Sequence, residues 1–92
     1  MAAKIEIEAL NESEFRVRVS DNSSESVHRV RLGPQAYQRL TAGKVEPREL
    51  VRRSFEFLLE REPKESILTR FDLSVISRYF PEYQGEIKRR LS

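Results

Sequence analysis

The chain of 92 residues has no cysteine, no tryptophan, one histidine, one methionine and three glycines. Without cysteine there is no disulfide, no thiolate zinc site, no iron–sulfur cluster and no thiol nucleophile. That absence fits a reducing compartment, and the cytoplasm is the expected location. A solitary imidazole, His28, cannot build a multi-histidine metal site. Gly33, Gly43 and Gly85 lie too far apart to assemble a phosphate-cradling loop. The longest apolar run, Phe57-Leu58-Leu59, falls far short of the ~20 residues of a membrane span. No apolar stretch follows Met1-Ala2-Ala3-Lys4, so neither a signal peptide nor a membrane partner is expected. The carboxylates are scattered among basic residues, and Ser23, Ser24 and Ser26 carry no nucleophile-elbow pattern. No enzymatic activity and no cofactor are therefore expected.

Charge is abundant instead. Asp, Glu, Lys and Arg make up 35% of the chain, with a formal net charge of +2. Thirteen of the 17 basic residues are arginine, whose planar fork suits carboxylates and phosphates. Residues 1–46 carry seven basic and seven acidic side chains, and 47–92 carry ten and eight. The length predicts one domain over 1–92, divided into a β-meander at 1–32 and a helical part at 34–92.

The first third alternates with period two, the mark of half-buried antiparallel strands. Ile5, Ile7 and Ala9 point one way against Lys4, Glu6 and Glu8. Phe15, Val17 and Val19 oppose Arg16 and Arg18, and Val30 and Leu32 oppose Arg29 and Arg31. Asn11-Glu12-Ser13 supplies a short turn, and Asp21 through Ser26 a longer polar loop. His28 shares the parity of Val30 and should point inward as a satisfied structural residue.

Gly33-Pro34 ends the sheet and opens a short helix with Ala36, Tyr37 and Leu40 on one face, stopping near Gly43. A second helix starts at Pro47, where Glu49 meets the positive end of the helix dipole. Its apolar arc of Leu50, Val51, Ser54, Phe55, Leu58 and Leu59, widened by Phe57, predicts burial against both the sheet and another helix. Ile67, Leu68 and Phe71 read as a further short face. Asp72 caps a helix holding Leu73, Ile76, Tyr79 and Phe80, which Pro81 ends. Tyr83, Ile87 and Leu91 continue at helical spacing. The fold class is α+β: a three-stranded antiparallel meander followed by three to four helices packed on one face.

Pairing Ile7 with Val17 and Ala9 with Phe15 sets Glu6 opposite Arg18 and Glu8 opposite Arg16, two cross-strand ion pairs. Pairing Val17 with Val30 then sets Arg18 opposite Arg29 and Arg16 opposite Arg31. These four arginines form the candidate anion-binding face, for phosphate groups or an acidic protein surface. The plainer expectation is that they fan outward and pair with helix glutamates such as Glu46 or Glu62. Lys88, Arg89 and Arg90, at the end of the last helix, are weaker candidates.

Residues 27–61 resemble the ribbon-helix-helix family: a short strand, Val27-His28-Arg29-Val30-Arg31-Leu32, then two helices separated by Gly43. The resemblance implies an intertwined dimer whose strand residues, Arg29 and Arg31, read operator DNA; in the DNA-binding reading Lys88, Arg89 and Arg90 would touch phosphates. The whole arrangement also looks like small bacterial proteins, a likeness that implies no function. The leading expectation is a non-enzymatic binding protein, acting on a protein partner or as a homo-oligomer. The alternative is a DNA-binding repressor or antitoxin.

Overall fold

The computed structural model describes residues 3–91. Three strands come first: β1 (Lys4–Ala9), β2 (Glu14–Ser20) and β3 (Glu25–Arg31). Helices α1 (Pro34–Thr41) and α2 (Pro47–Arg61) follow. A single 3₁₀ turn (Lys64–Ser66), strand β4 (Arg70–Asp72), a second 3₁₀ turn (Leu73–Val75), α3 (Ile76–Tyr79) and α4 (Tyr83–Leu91) complete the chain. No helix among the described residues is long and apolar enough to cross a membrane.

The fold is α+β, but the sheet is mixed and four-stranded, in the order β1-β2-β3-β4. Its first three strands are antiparallel, and β4 runs parallel to β3. This corrects the three-stranded expectation and puts a strand inside the stretch read as helical. Ile67, Leu68 and Phe71 do not share a helical face. Phe71 is a strand residue whose ring meets Phe55 of α2 at 6.0 Å between centroids. A parallel partner needs a long crossover, which α1 and α2 supply.

Local chemistry sets the registers. In the first hairpin Asn11 Oδ1 accepts from the Ser13 amide at 2.8 Å, and the Leu10 amide donates to the Glu14 carbonyl. The pairing is Ile7 with Val17, Glu6 with Arg18 and Glu8 with Arg16, as the alternation and charge pattern require together. The second hairpin is tighter than expected. Asp21 Oδ1 accepts from the Ser23 and Ser24 amides at 2.9 and 3.0 Å, so the turn closes over Asp21–Ser24. Glu25 and Ser26 join β3, and the register slides by two residues. Val17 faces His28 rather than Val30, Arg16 faces Arg29, and Arg18 faces Val27. A two-residue slide leaves every side chain on its own face, so hydrophobic alternation alone cannot detect it.

Both long-chain turns into helices follow the prolines. Pro34 and Pro47 occupy the first positions of α1 and α2, where a missing N–H leaves no bond unmade. The α1 helix ends in two left-handed residues, Ala42 (φ 55°) and Gly43 (φ 74°). The Thr41 hydroxyl helps this reversal by donating to the Tyr37 carbonyl while accepting from the Gly43 amide. Leu50, Val51, Ser54, Phe55, Phe57 and Leu58 of α2 are buried, as the wide apolar arc predicts. One side packs toward β1, where the Arg52 guanidinium donates to the Ile5 carbonyl at 3.0 Å. The other meets α4, where Tyr83 and Ile87 are buried and the Tyr83 ring stands edge-on to Phe57 at 5.3 Å.

Candidate functional site

The helices and their buried residues lie on one side of the sheet, and the opposite face is open. Period-two alternation puts Lys4, Glu6 and Glu8 of β1 on that open face, with Arg16 and Arg18 of β2. Val27, Arg29 and Arg31 of β3 join them, as does Arg70 of β4. The backbone pairing of Glu8 with Arg16, Arg16 with Arg29 and Arg29 with Arg70 draws one straight row across all four strands. Three neighbouring members of that row are arginines, on strands about 4.8 Å apart. Arg31 sits in the next row, between Glu14 and Asp72, and Arg18 sits in the row on the other side.

Four of these arginines were candidates from the sequence, and the structure gathers Arg16, Arg18, Arg29 and Arg31 on one face. It corrects their pairing: only Arg16 and Arg29 stand directly opposite each other. The expected Glu8–Arg16 ion pair forms, but Arg18 pairs with Glu25 instead of the expected Glu6, and none of the four pairs with Glu46 or Glu62 among the described residues. Arg16 reaches Glu8 at 2.8 Å, Arg29 reaches Glu14 at 3.5 Å and Arg18 reaches Glu25 at 3.6 Å. Among the described residues Arg31 and Arg70 form no ion pair. The Glu14 carboxyl is held below its ordinary value, first by a hydrogen bond from Asn11 and then by the fields of Arg29, Arg70 and Arg31. Arg70 was missed because three residues are too few to display alternation; the only signal was charged Arg70 and Asp72 flanking apolar Phe71.

The weaker candidates lie elsewhere. On α4, in the helical layer, Arg90 binds Glu60 at 2.6 Å and Glu86 at 3.1 Å, and Arg89 reaches Glu86 at 3.2 Å. Lys88 is exposed. None of the three joins the arginine row.

His28 points inward and is 1% exposed. Its Nδ1 lies 2.8 Å from the Leu68 carbonyl, which only accepts, so Nδ1 carries the proton. Its Nε2 then accepts from the Ser26 hydroxyl at 2.8 Å. The Nδ1 bond ties β3 to the chain entering β4, while the Nε2 bond stays within β3.

A second polar tie holds the tight hairpin. Lys64 is 6% exposed, and its ammonium reaches Asp21 at 2.6 Å and Glu65 at 2.8 Å. The Lys64 ammonium, and after it the Ser23 and Ser24 donors, hold the Asp21 carboxyl far below its ordinary value. Among the described residues no group of three or more His, Cys, Asp or Glu is placed to hold a metal ion. Comparison with known protein families, with curated proteins and with solved structures gives no match.

Proposed function

We propose that this chain is a non-enzymatic binding protein that recognises an acidic protein surface through the open face of its sheet. Arg16, Arg29 and Arg70 are the central contacts, with Arg18 and Arg31 flanking them. The observation that carries this reading is the row of three arginines on three adjacent strands. Like charges directly opposite one another oppose sheet pairing. A carboxylate laid across them would replace that repulsion with charge-assisted, bidentate contacts. The partner is another protein or a second copy of this chain.

The test uses polyglutamate as the anionic probe and duplex DNA as its competitor, at low salt. The full chain should bind polyglutamate, more weakly as salt rises. Replacing Arg16, Arg29 and Arg70 together with glutamine should abolish binding without lowering the thermal midpoint. Failure to bind, or unchanged binding by the triple variant, overturns the reading.

Tighter binding to duplex DNA would favour the ribbon-helix-helix-like repressor or antitoxin instead, an alternative supported by the outward projection of Arg29 and Arg31 from β3. Its log affinity would fall with log salt by about 0.9 per phosphate neutralised. Since β3 is bonded to β2 and β4 on its two sides, such a protein would meet DNA with the face of the sheet.

A further inference from the structure

A cleft of about 410 Å³ opens on the other side of the molecule, between the C-terminal end of α2, the segment leading into β4, and α3. It exists because the chain turns away at Pro63 and Pro81 stops α3 after one turn. Ile67 and Ile76 form its buried floor, with the half-buried rings of Phe71 and Phe80 beside them. Its rim exposes Leu68 and Tyr79, at 48% and 68% of their surface. These are two of the three large apolar side chains that stand exposed among the described residues. The volume falls within the range of small-ligand sites, and apolar walls with few polar groups are their usual lining.

The charge of the lining narrows the ligand. Glu62, the residue following α2, lines the cleft and has no ion pair among the described residues. Its neighbours in sequence are occupied elsewhere. Arg61 lies over the Phe57 ring at 3.6 Å and reaches Glu60 and Glu82, while Lys64 is held by Asp21 and Glu65. In a chain with more basic than acidic residues, the cleft thus presents one carboxylate without an ion pair among the described residues, beside apolar walls. The Tyr79 ring at the rim adds a face that attracts cations. We propose that this cleft binds a small amphiphilic cation: an aryl or alkyl body among Ile67, Phe71, Ile76 and Phe80, with an ammonium end at Glu62. The site is independent of the arginine face.

Matched probes test this. Phenylbutylammonium, phenylbutyrate and phenylbutanol share one apolar body and differ only in the charge of the end group. Each is titrated into the full chain, and backbone amide shifts are mapped by NMR. The ammonium should give saturable shifts confined to residues around the cleft. It should bind about five-fold more tightly than the carboxylate, the factor that an exposed ion pair of about 1 kcal/mol supplies. The net charge of +2 favours the carboxylate at any non-specific site, so the reverse order reports a local acid. Glu62→Gln should erase the preference while the remaining amide shifts stay in place. Tyr79→Ala, at an exposed position, should weaken all three probes without lowering stability. The proposal is overturned by shifts outside the cleft, by carboxylate binding equal to that of the ammonium, or by a preference that survives Glu62→Gln. It is also overturned if the ammonium produces no saturable shifts.

Discussion

On the inner face of β2 and β3, Val17, Val19 and Val30 are wholly excluded from solvent. On the outer face of the same strands, Arg16, Arg18, Arg29 and Arg31 remain exposed, and three of them reach glutamates at distances from 2.8 to 3.6 Å. The same backbone pairing therefore supports two different energy regimes. Burial of apolar surface stabilises by about 25 cal/mol per Å² and depends little on salt. Exposed ion pairs contribute about 0–1 kcal/mol each and fade with salt. The inner face fixes the fold, and the outer face is free to carry recognition at little risk to it. The sharpest way to break this contrast is to cut into α2 where it covers the inner face. Phe55 is fully buried between His28 and Phe71. Phe55→Ala should lower the unfolding free energy by about 3–5 kcal/mol in denaturant titrations. A loss below about 1 kcal/mol would show that this face is not a continuous core.

The buried polar pair at the α2–α4 contact should give the next largest effect. The Ser54 hydroxyl lies 2.8 Å from the Leu50 carbonyl and 2.6 Å from the Tyr83 hydroxyl. Its one proton goes to the carbonyl, so Tyr83 donates to Ser54. Ser54→Ala leaves the tyrosine hydroxyl buried without a partner and should destabilise by about 1–3 kcal/mol, whereas Tyr83→Phe should lose only about 0.5–1.5 kcal/mol. Equal losses would reverse the assigned direction of donation. Burial also pushes the Tyr83 hydroxyl up to about 12. Native Tyr83 keeps its proton where the unfolded chain has already lost it. Stability should therefore fall as pH rises from the ordinary value of 10.0 toward about 12. Tyr83→Phe should remove that part of the alkaline loss.

At the hairpin, acid provides a smaller perturbation. The Asp21 carboxyl sits far below its ordinary value of 3.8, so the unfolded chain binds its proton first as pH falls. Its contribution is complete above 3.8 and is lost progressively below it, through the folded value. Asp21→Asn should flatten that acid limb of the thermal midpoint. An unchanged limb would assign it to other lowered carboxylates, such as Glu60 beside Arg90.

This hairpin also shows where the sequence is legible. In the first hairpin, apolar alternation and charge complementarity agree on one register, and the structure adopts it. In the second, alternation permits any slide by an even number of residues. The deciding feature is how tightly Asp21 closes the turn, a matter of its side chain capping two amides rather than of periodicity. The helices starting at Pro34 and Pro47, and the inward His28, are readable because proline position and parity act locally. Strand β4 is not readable, because three residues form a strand only when β3 offers them a partner edge. Arg70 is lost with it, and with Arg70 the straight row that organises the face. Glu62 carries no sequence signal either; its isolation follows from where Arg61 and Lys64 turn in three dimensions.

The smallest effect separates the two faces most cleanly. Arg29 is flanked by Arg16 on β2 and Arg70 on β4, with Glu14 at 3.5 Å as its one ion-pair partner among the described residues. Arg29→Thr removes a charge paired across the sheet with two like charges, and one weak ion pair, while introducing a residue that favours strands. The net change should be a gain of about 0.5 kcal/mol in stability, together with loss of polyglutamate binding. A stabilised variant that no longer binds would mean that the arginine row works against the fold and serves recognition. A destabilised variant would mean that Glu14 matters more to Arg29 than its two arginine neighbours do. The outer face would then be a network of ion pairs supporting the sheet, and the division of labour between the two faces would fail.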